Sequence, residues 1–251
     1  MLKCNGLGVT LGGQILLENV SFELPPRTFT ALIGKNGSGK STLAACIRQQ
    51  VPYTGDLSLE DVSLRELAPR QRACRIASLP QTLPAPDLTV RELAGLGRSP
   101  YLGLNRRFSA QDRTAVDNAL RRTEMVSFAS RRLPTLSGGE RQRAYLAMIL
   151  AQDADVLVLD EPTAYMDIHA EAECLRMMRA LTSEGKTLMV ILHNLSLAAT
   201  YADRLLVLDR HTCVFAGQRE ECLSRGVIES VFNVRRVSAP DDRDGNILFL
   251  A

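Results

Sequence analysis

The spacing of apolar positions along this 251-residue chain changes several times, and each change predicts an element. Near the N-terminus apolar and polar residues alternate, as in Val20-Ser21-Phe22-Glu23-Leu24. A period of two predicts a half-buried strand. Ile15-Leu16-Leu17 reads as a further strand, and Gly12-Gly13 predicts a tight hairpin turn ahead of it. Phe29-Thr30-Ala31-Leu32-Ile33 and Val156-Leu157-Val158-Leu159 are continuous apolar runs, as expected for strands buried on both faces. Strands are also predicted over 55–59, 75–79, 188–192, 204–208 and 213–215. Helical patterns cover 42–50, a polar piece near 64–72, 109–122 with Ala115, Val116 and Leu120 as its apolar stripe, 168–184 ending at Gly185, and 195–202. Thr89 with Glu92 three residues on is a capping box, and Asp244-Gly245 signals a last hairpin before Ile247.

Alternation of strands and helices predicts the α/β class, with a mostly parallel sheet covered on both faces. From Thr82 the composition shifts to turn-formers and helical stretches, so 82–150 reads as a mostly helical insertion. Apolar content of 45% suffices for a core. A net charge of +2 with dispersed arginines gives no reason to expect nucleic acid. Six cysteines form no C-x-x-C pair and read as small buried hydrophobes in a reducing compartment. No apolar run reaches the roughly 18 residues of a membrane span, and no signal-peptide pattern opens the chain, so a soluble protein is expected.

Candidate chemistry starts at Gly34-Lys35-Asn36-Gly37-Ser38-Gly39-Lys40-Ser41-Thr42, which fits G-x-x-x-x-G-K-[ST] at every fixed position. It lies between a predicted buried strand and a predicted helix. Glycines let successive N–H groups face one concavity, and the helix start adds its positive end, which together favour an anionic phosphate. Lys40 can reach the β- and γ-phosphates of a nucleotide, and the Ser41 hydroxyl can bind Mg²⁺. Asp160 and Glu161 follow the second apolar run directly. Carboxylates at the carboxyl end of a parallel strand lie where such sheets bind ligands; an Asp there holds Mg²⁺ in nucleotide hydrolases, and an adjacent Glu can accept a proton from water. Leu136-Ser137-Gly138-Gly139-Glu140-Arg141-Gln142-Arg143 opens another helix with a serine and two glycines, a second anion-binding start. A second cradle asks for a second nucleotide or a second subunit.

The loop at 34–42, Gln81, the 136–140 run, Asp160-Glu161, Asp167 and His193 resemble, in order and spacing, the ATPase subunits of ABC transporters. Leu88-Thr89-Val90-Arg91-Glu92-Leu93, Gly97-Arg98, Ser109 with Asp112, and Leu197-Ala198 with Tyr201-Ala202-Asp203 look most like importers of ferric siderophores, haem and cobalamin. The resemblance implies a P-loop NTPase (RecA-like) core over 1–81 and 151–217 with an N-terminal antiparallel β subdomain. It also implies a helical subdomain over 82–150 and a C-terminal extension over 218–251. It further implies a head-to-tail homodimer holding two ATPs with Mg²⁺, each ATP on Gly34, Asn36, Gly37, Ser38, Gly39, Lys40, Ser41 and Thr42 of one chain and facing Ser137, Gly138 and Gly139 of the other. Glu161 is then the general base, Asp160 binds Mg²⁺, and Gln81 senses Mg²⁺ and water. His193 contacts the γ-phosphate, and Asp167 couples the two sites. Integral membrane permease subunits dock on the helical insertion at the cytoplasmic face of the membrane, and an extracytoplasmic substrate-binding protein acts indirectly.

Three positions depart from that pattern. Leu11 stands where an aromatic usually stacks on adenine, which puts roughly 1–3 kcal/mol of stacking in doubt. Met166 replaces the usual Leu, a near-isosteric change, and Asn194 replaces the commoner Asp after His193. An importer of another solute or an exporter is the alternative within transport. A soluble ABC ATPase is opposed by the single phosphate loop and the lack of a heptad run over 82–136. A binding module without turnover is opposed by intact Glu161 and His193.

Overall fold

The computed structural model describes residues 1–103, 107–238 and 247–250. The chain forms two compact units, Met1–Leu67 with Arg179–Ala251, and Ala68–Met178. The first unit begins with strands β1 (Leu2–Leu11), β2 (Gln14–Leu24) and β3 (Phe29–Gly34), helix α1 (Lys40–Ile47), and strands β4 (Thr54–Leu59) and β5 (Val62–Ser63). The second holds α2 (Pro69–Arg75), β6 (Ile76–Leu79), α3 (Val90–Leu96), α4 (Ala110–Arg122), α5 (Gly138–Gln152), β7 (Val156–Asp160) and the start of α6 (Ile168–Ser183). The chain then returns to the first unit with β8 (Thr187–Ile191), α7 (Leu195–Tyr201), β9 (Arg204–Asp209), β10 (Thr212–Gln218), α8 (Arg219–Ser224), α9 (Val227–Phe232), β11 (Arg235–Ser238) and β12 (Ile247–Leu250).

In the first unit β3 pairs parallel with both β8 and β9, and β10 joins β9 antiparallel. Every residue of β3 and of β8 is buried, as their unbroken apolar runs require. The N-terminal strands make a separate antiparallel sheet in the order β2-β1-β4-β5. There the alternation in Val20–Leu24 places Val20, Phe22 and Leu24 inside. The predicted strand at 15–17 and the one at 20–24 are one strand, β2, with Asn19 at φ 49° as an irregularity between them. Gly12 and Gly13, with φ of 57° and 80°, make the predicted two-residue turn between β1 and β2.

In the second unit β6 pairs parallel with β7, and all five residues of β7 are buried. The helix expected near 64–72 starts later, at Pro69. Proline suits a first helical position and pushes the residue before it out of the helical region, which is where Ala68 sits (φ −55°, ψ 146°). Capping boxes at Thr89, Ser109 and Ser137 open α3, α4 and α5. Asp112 closes the second of these and also meets Arg98 at 2.9 Å in a buried ion pair, while Arg98 donates to Ala151 O at the end of α5. The Ser109 hydroxyl and amide, with Arg98, hold the Asp112 carboxyl down at about 2. One side chain thus joins the start of α4 to the end of α5. β11 and β12 pair antiparallel; the Asp244-Gly245 turn signal lies outside the described residues.

Candidate functional site

The first unit carries the phosphate loop between β3 and α1. Ser38 N donates to Lys35 O at 3.2 Å, and Gly39 at φ 102° precedes α1 with no side-chain cap on the helix start. A Cβ on Gly39 would sit 2.5 Å from Leu17 Cδ2 and 2.6 Å from Leu16 O, so both conformation and close approach demand glycine. A Cβ on Gly34 would collide with Leu208 O, again backbone. Lys40 is buried, and its ammonium donates to Gly34 O at 2.7 Å and Lys35 O at 3.0 Å, which stretches it across the mouth of the loop. Asn36, Gly37 and Ser41 are exposed and Thr42 is half-buried. The Ser38 hydroxyl is buried and has no hydrogen-bond partner among the described residues. A buried hydroxyl of that kind calls for a partner, and a phosphate oxygen in the loop supplies one. The loop therefore fits a nucleotide phosphate.

Leu11 ends β1 beside the hairpin turn and is 41% exposed, open to a flat apolar ligand. His193 follows β8 and is exposed. Its neighbour Asn194 accepts from Leu197 N at 3.2 Å and so caps α7. The replacement of Asp by Asn thus keeps the cap while removing the charge.

The second unit carries the carboxylates. Asp160 is 1% exposed at the carboxyl end of β7. Glu161 follows at φ 50°, a left-handed conformation rare outside glycine. Its carboxylate accepts from Gln81 Nε2 at 2.7 Å, joining two predicted site residues that lie 80 apart in sequence. Ser137 begins α5: its hydroxyl accepts from Glu140 N at 3.3 Å while Glu140 accepts from Ser137 N at 2.7 Å. That amide hydrogen bond holds the Glu140 carboxyl below its ordinary range. Gly138 and Gly139 lie against Tyr165. Asp167 accepts from Ala170 N at 2.9 Å and from Glu171 N through its carbonyl, capping α6.

Sequence reasoning missed Gln142 and Tyr165. Gln142 is a polar residue at a buried position, 2% exposed, and donates to Glu161 O at 3.1 Å. A polar residue inside an otherwise apolar helical stripe was the available signal. Among the described residues no group of three or more His, Cys, Asp or Glu could hold a metal. Ser41 in the first unit carries a hydroxyl, and Asp160 and Gln81 in the second carry a carboxylate and an amide oxygen; each is a hard oxygen donor of the kind that Mg²⁺ takes.

A groove of about 810 Å³ lies within the second unit between α3 and α4, lined by Arg91, Glu92, Leu96, Phe108, Arg113 and Val116 among others. Leu96 and Phe108 are exposed there. No helix among the described residues is long and apolar enough to cross a membrane.

A family model described as ABC transporter matches residues 17–164. The petrobactin import ATP-binding protein FpuD of Bacillus anthracis is 37% identical over 236 residues, covering 93% of this chain and 86% of that protein. The ferric enterobactin transport ATP-binding protein FepC of Escherichia coli (strain K12) is 36% identical, with coverage of 98% and 92%. The hemin import ATP-binding protein HmuV of Streptomyces coelicolor is 37% identical, with coverage of 99% and 89%. Among solved structures, an ATP-binding subunit of an ABC transporter superposes with a TM-score of 0.82 at 23% identity, covering 93% of this chain and 98% of its own. The dimeric cassette MJ0796 bound to ADP and Pi gives 0.78 at 24% identity, with coverage of 87% and 99%. Sequence match, fold and the phosphate loop agree: the chain belongs to the ABC transporter family, as one of its ATP-binding, ATP-hydrolysing cassettes.

Proposed function

We propose that this chain is the ATPase subunit of an importer for a metal chelate of the ferric-siderophore, haem or cobalamin class. The observation that carries this reading is the 36–37% identity, over nearly the whole chain, to relatives named for petrobactin, enterobactin and hemin import. In this reading two copies close on two ATPs. The loop at 34–42 binds the triphosphate of one ATP, with Lys40 on the β- and γ-phosphates and Leu11 against the base. Ser137, Gly138 and Gly139 of the second copy meet the same γ-phosphate, and Asp167 links the two sites. Ser41, Asp160 and Gln81 would hold Mg²⁺, which would supply charge neutralisation at the phosphates. Glu161 accepts the proton of the attacking water, His193 steadies the γ-phosphate, and Gln81 orients the carboxylate and reports its state. The exposed apolar groove between α3 and α4 takes a cytoplasmic loop of the membrane permease, which places the protein at the cytoplasmic face of the membrane. An extracytoplasmic binding protein delivers cargo to that permease, and nucleic acid plays no part.

Purification of the tagged chain from gently solubilised membranes tests the reading. A many-helix membrane protein at one-to-one stoichiometry is expected, lost when Leu96→Arg closes the groove, and retaining bound metal chelate or stimulated by it. Recovery of soluble partners alone under several detergents overturns transport. A permease that responds to another solute keeps the ATPase role and moves the cargo.

A further inference from the structure

The second unit ties its serine-glycine helix start to the loop that carries Glu161. Gln142, one turn into α5, donates to Glu161 O at 3.1 Å. On the same helix, a Cβ placed on Gly138 would lie 3.0 Å from Tyr165 Cβ and 3.1 Å from its Cγ, and one on Gly139 would lie 3.2 Å from Tyr165 O. The loop between these two contacts is itself closed by turns. Ala164 N donates to Glu161 O at 3.1 Å and Met166 N to Thr163 O at 3.2 Å. Glu161 at φ 50° and Tyr165 at φ 65° are both left-handed without being glycine, and Tyr165 is 80% exposed, so no burial of its own ring explains the conformation. Backbone of this kind persists only where its surroundings hold it. Here the surroundings include α5, through Gln142 and the glycines against Tyr165, and Gln81, whose amide holds the Glu161 carboxylate at 2.7 Å.

We propose that Gln142 is a positioning residue for Glu161, and that α5 and the 161–166 loop move as one body. A phosphate seated at Ser137 is then felt at the Glu161 carboxylate through the Gln142 bond and the Tyr165 contact. The inference rests on Glu161 being the general base and adds how that base is held. Gln142 fixes the Glu161 carbonyl and thereby its left-handed backbone; without that bond the backbone relaxes toward ordinary φ and carries the carboxylate away from the water. A misplacement of about 1 Å costs on the order of a hundredfold in rate.

Gln142→Met keeps length and burial and removes the donor. In the full chain, steady-state kinetics should show kcat at least tenfold lower, with KM and the affinity for a fluorescent ATP analogue within twofold of the parent. Tyr165→Gly, which suits a positive φ and removes the ring, should lower kcat in the same pattern and decides the matter if Gln142→Met does not fold. The double variant should lose no more than the larger single effect. A kcat within twofold of the parent in a folded variant, or KM and affinity worsening in step with kcat, overturns the proposal. Glu161→Gln in parallel separates the two readings. Full turnover there sinks the general-base assignment, whereas an inactive Glu161→Gln beside a fully active Gln142→Met sinks the positioning role alone.

Discussion

Two helices of this protein start on glycines beside a serine, and they start differently. α1 follows Gly39 in a left-handed conformation, with no side chain capping its amides and no acid in its first turn. α5 follows Ser137, is closed by a full capping box, and carries Glu140 in its first turn. An uncapped start leaves its N–H groups and positive end for a ligand, and Lys40 adds a charge over it. A start already satisfied by its own carboxylate has less to offer an anion. The comparison teaches that the loop at 34–42 leaves its helix start open to an anion, whereas the start at Ser137 is already satisfied within the chain; in the function proposed above, the first holds a nucleotide and the second meets one held by another copy.

The largest effect expected concerns the ion pair that holds the far end of the helix with the second start. Arg98→Met strips the partner from buried Asp112 and the donor from Ala151 O, and breaking a buried pair this way costs about 3–5 kcal/mol. Thermal or urea unfolding should register that loss, while any folded fraction keeps ATP affinity at the first start. The same pair sets an acid limit. The folded Asp112 carboxyl sits at about 2, below the 3.8 of an ordinary Asp, so its contribution is complete above about pH 4 and is lost as pH falls from there toward 2. The unfolding free energy of the parent should fall as pH is lowered through that range, and that of Asp112→Asn should fall less.

Lys40→Met tests the first start. Removing a charged donor there is worth about 1.5–3 kcal/mol, or roughly ten- to hundredfold in ATP affinity by equilibrium binding. Unchanged affinity would mean that the loop is not the phosphate site. Leu11→Tyr supplies the missing ring at the base. Stacking gains of up to about 1–3 kcal/mol should tighten ATP and raise its preference over GTP, read by competition binding. The smallest effect sharpens the contrast itself. Glu140→Gln keeps an acceptor for Ser137 N but removes the charge, worth about 0.3–1 kcal/mol at a helix start, so ATP-driven association of two chains should strengthen up to a few fold.

The elements of this contrast were legible in the sequence, but the contrast was not: both starts read as anion-binding, and the closure of the one at Ser137 by Glu140 shows only in the structure. The phosphate loop, the Ser137 start and the Asp160-Glu161 pair each follow from local chemistry, since glycines, caps and apolar runs act on their immediate neighbours. The two-residue turns at Glu60-Asp61 and Arg210-His211 were not readable, because all four residues adopt positive φ without the Asn-Gly or Gly-Gly signal. Pairing of the strands on either side of each turn holds them instead. The late start of α2 was written in Pro69 and outweighed by the polar helical pattern before it. The bond from Gln81 to Glu161 spans 80 residues and exists only because β6 and β7 pair side by side. Gln142 shows the same limit: its helix was predicted, but what its buried amide would reach was not.

The most direct test of the account is the oligomeric state of Glu161→Gln by analytical ultracentrifugation, with and without ATP. The account predicts monomers alone, a stable dimer with ATP, turnover reduced by orders of magnitude, and loss of the dimer when Ser137→Arg is added. A variant that hydrolyses ATP near the parent rate, or that stays monomeric at saturating ATP, would contradict it.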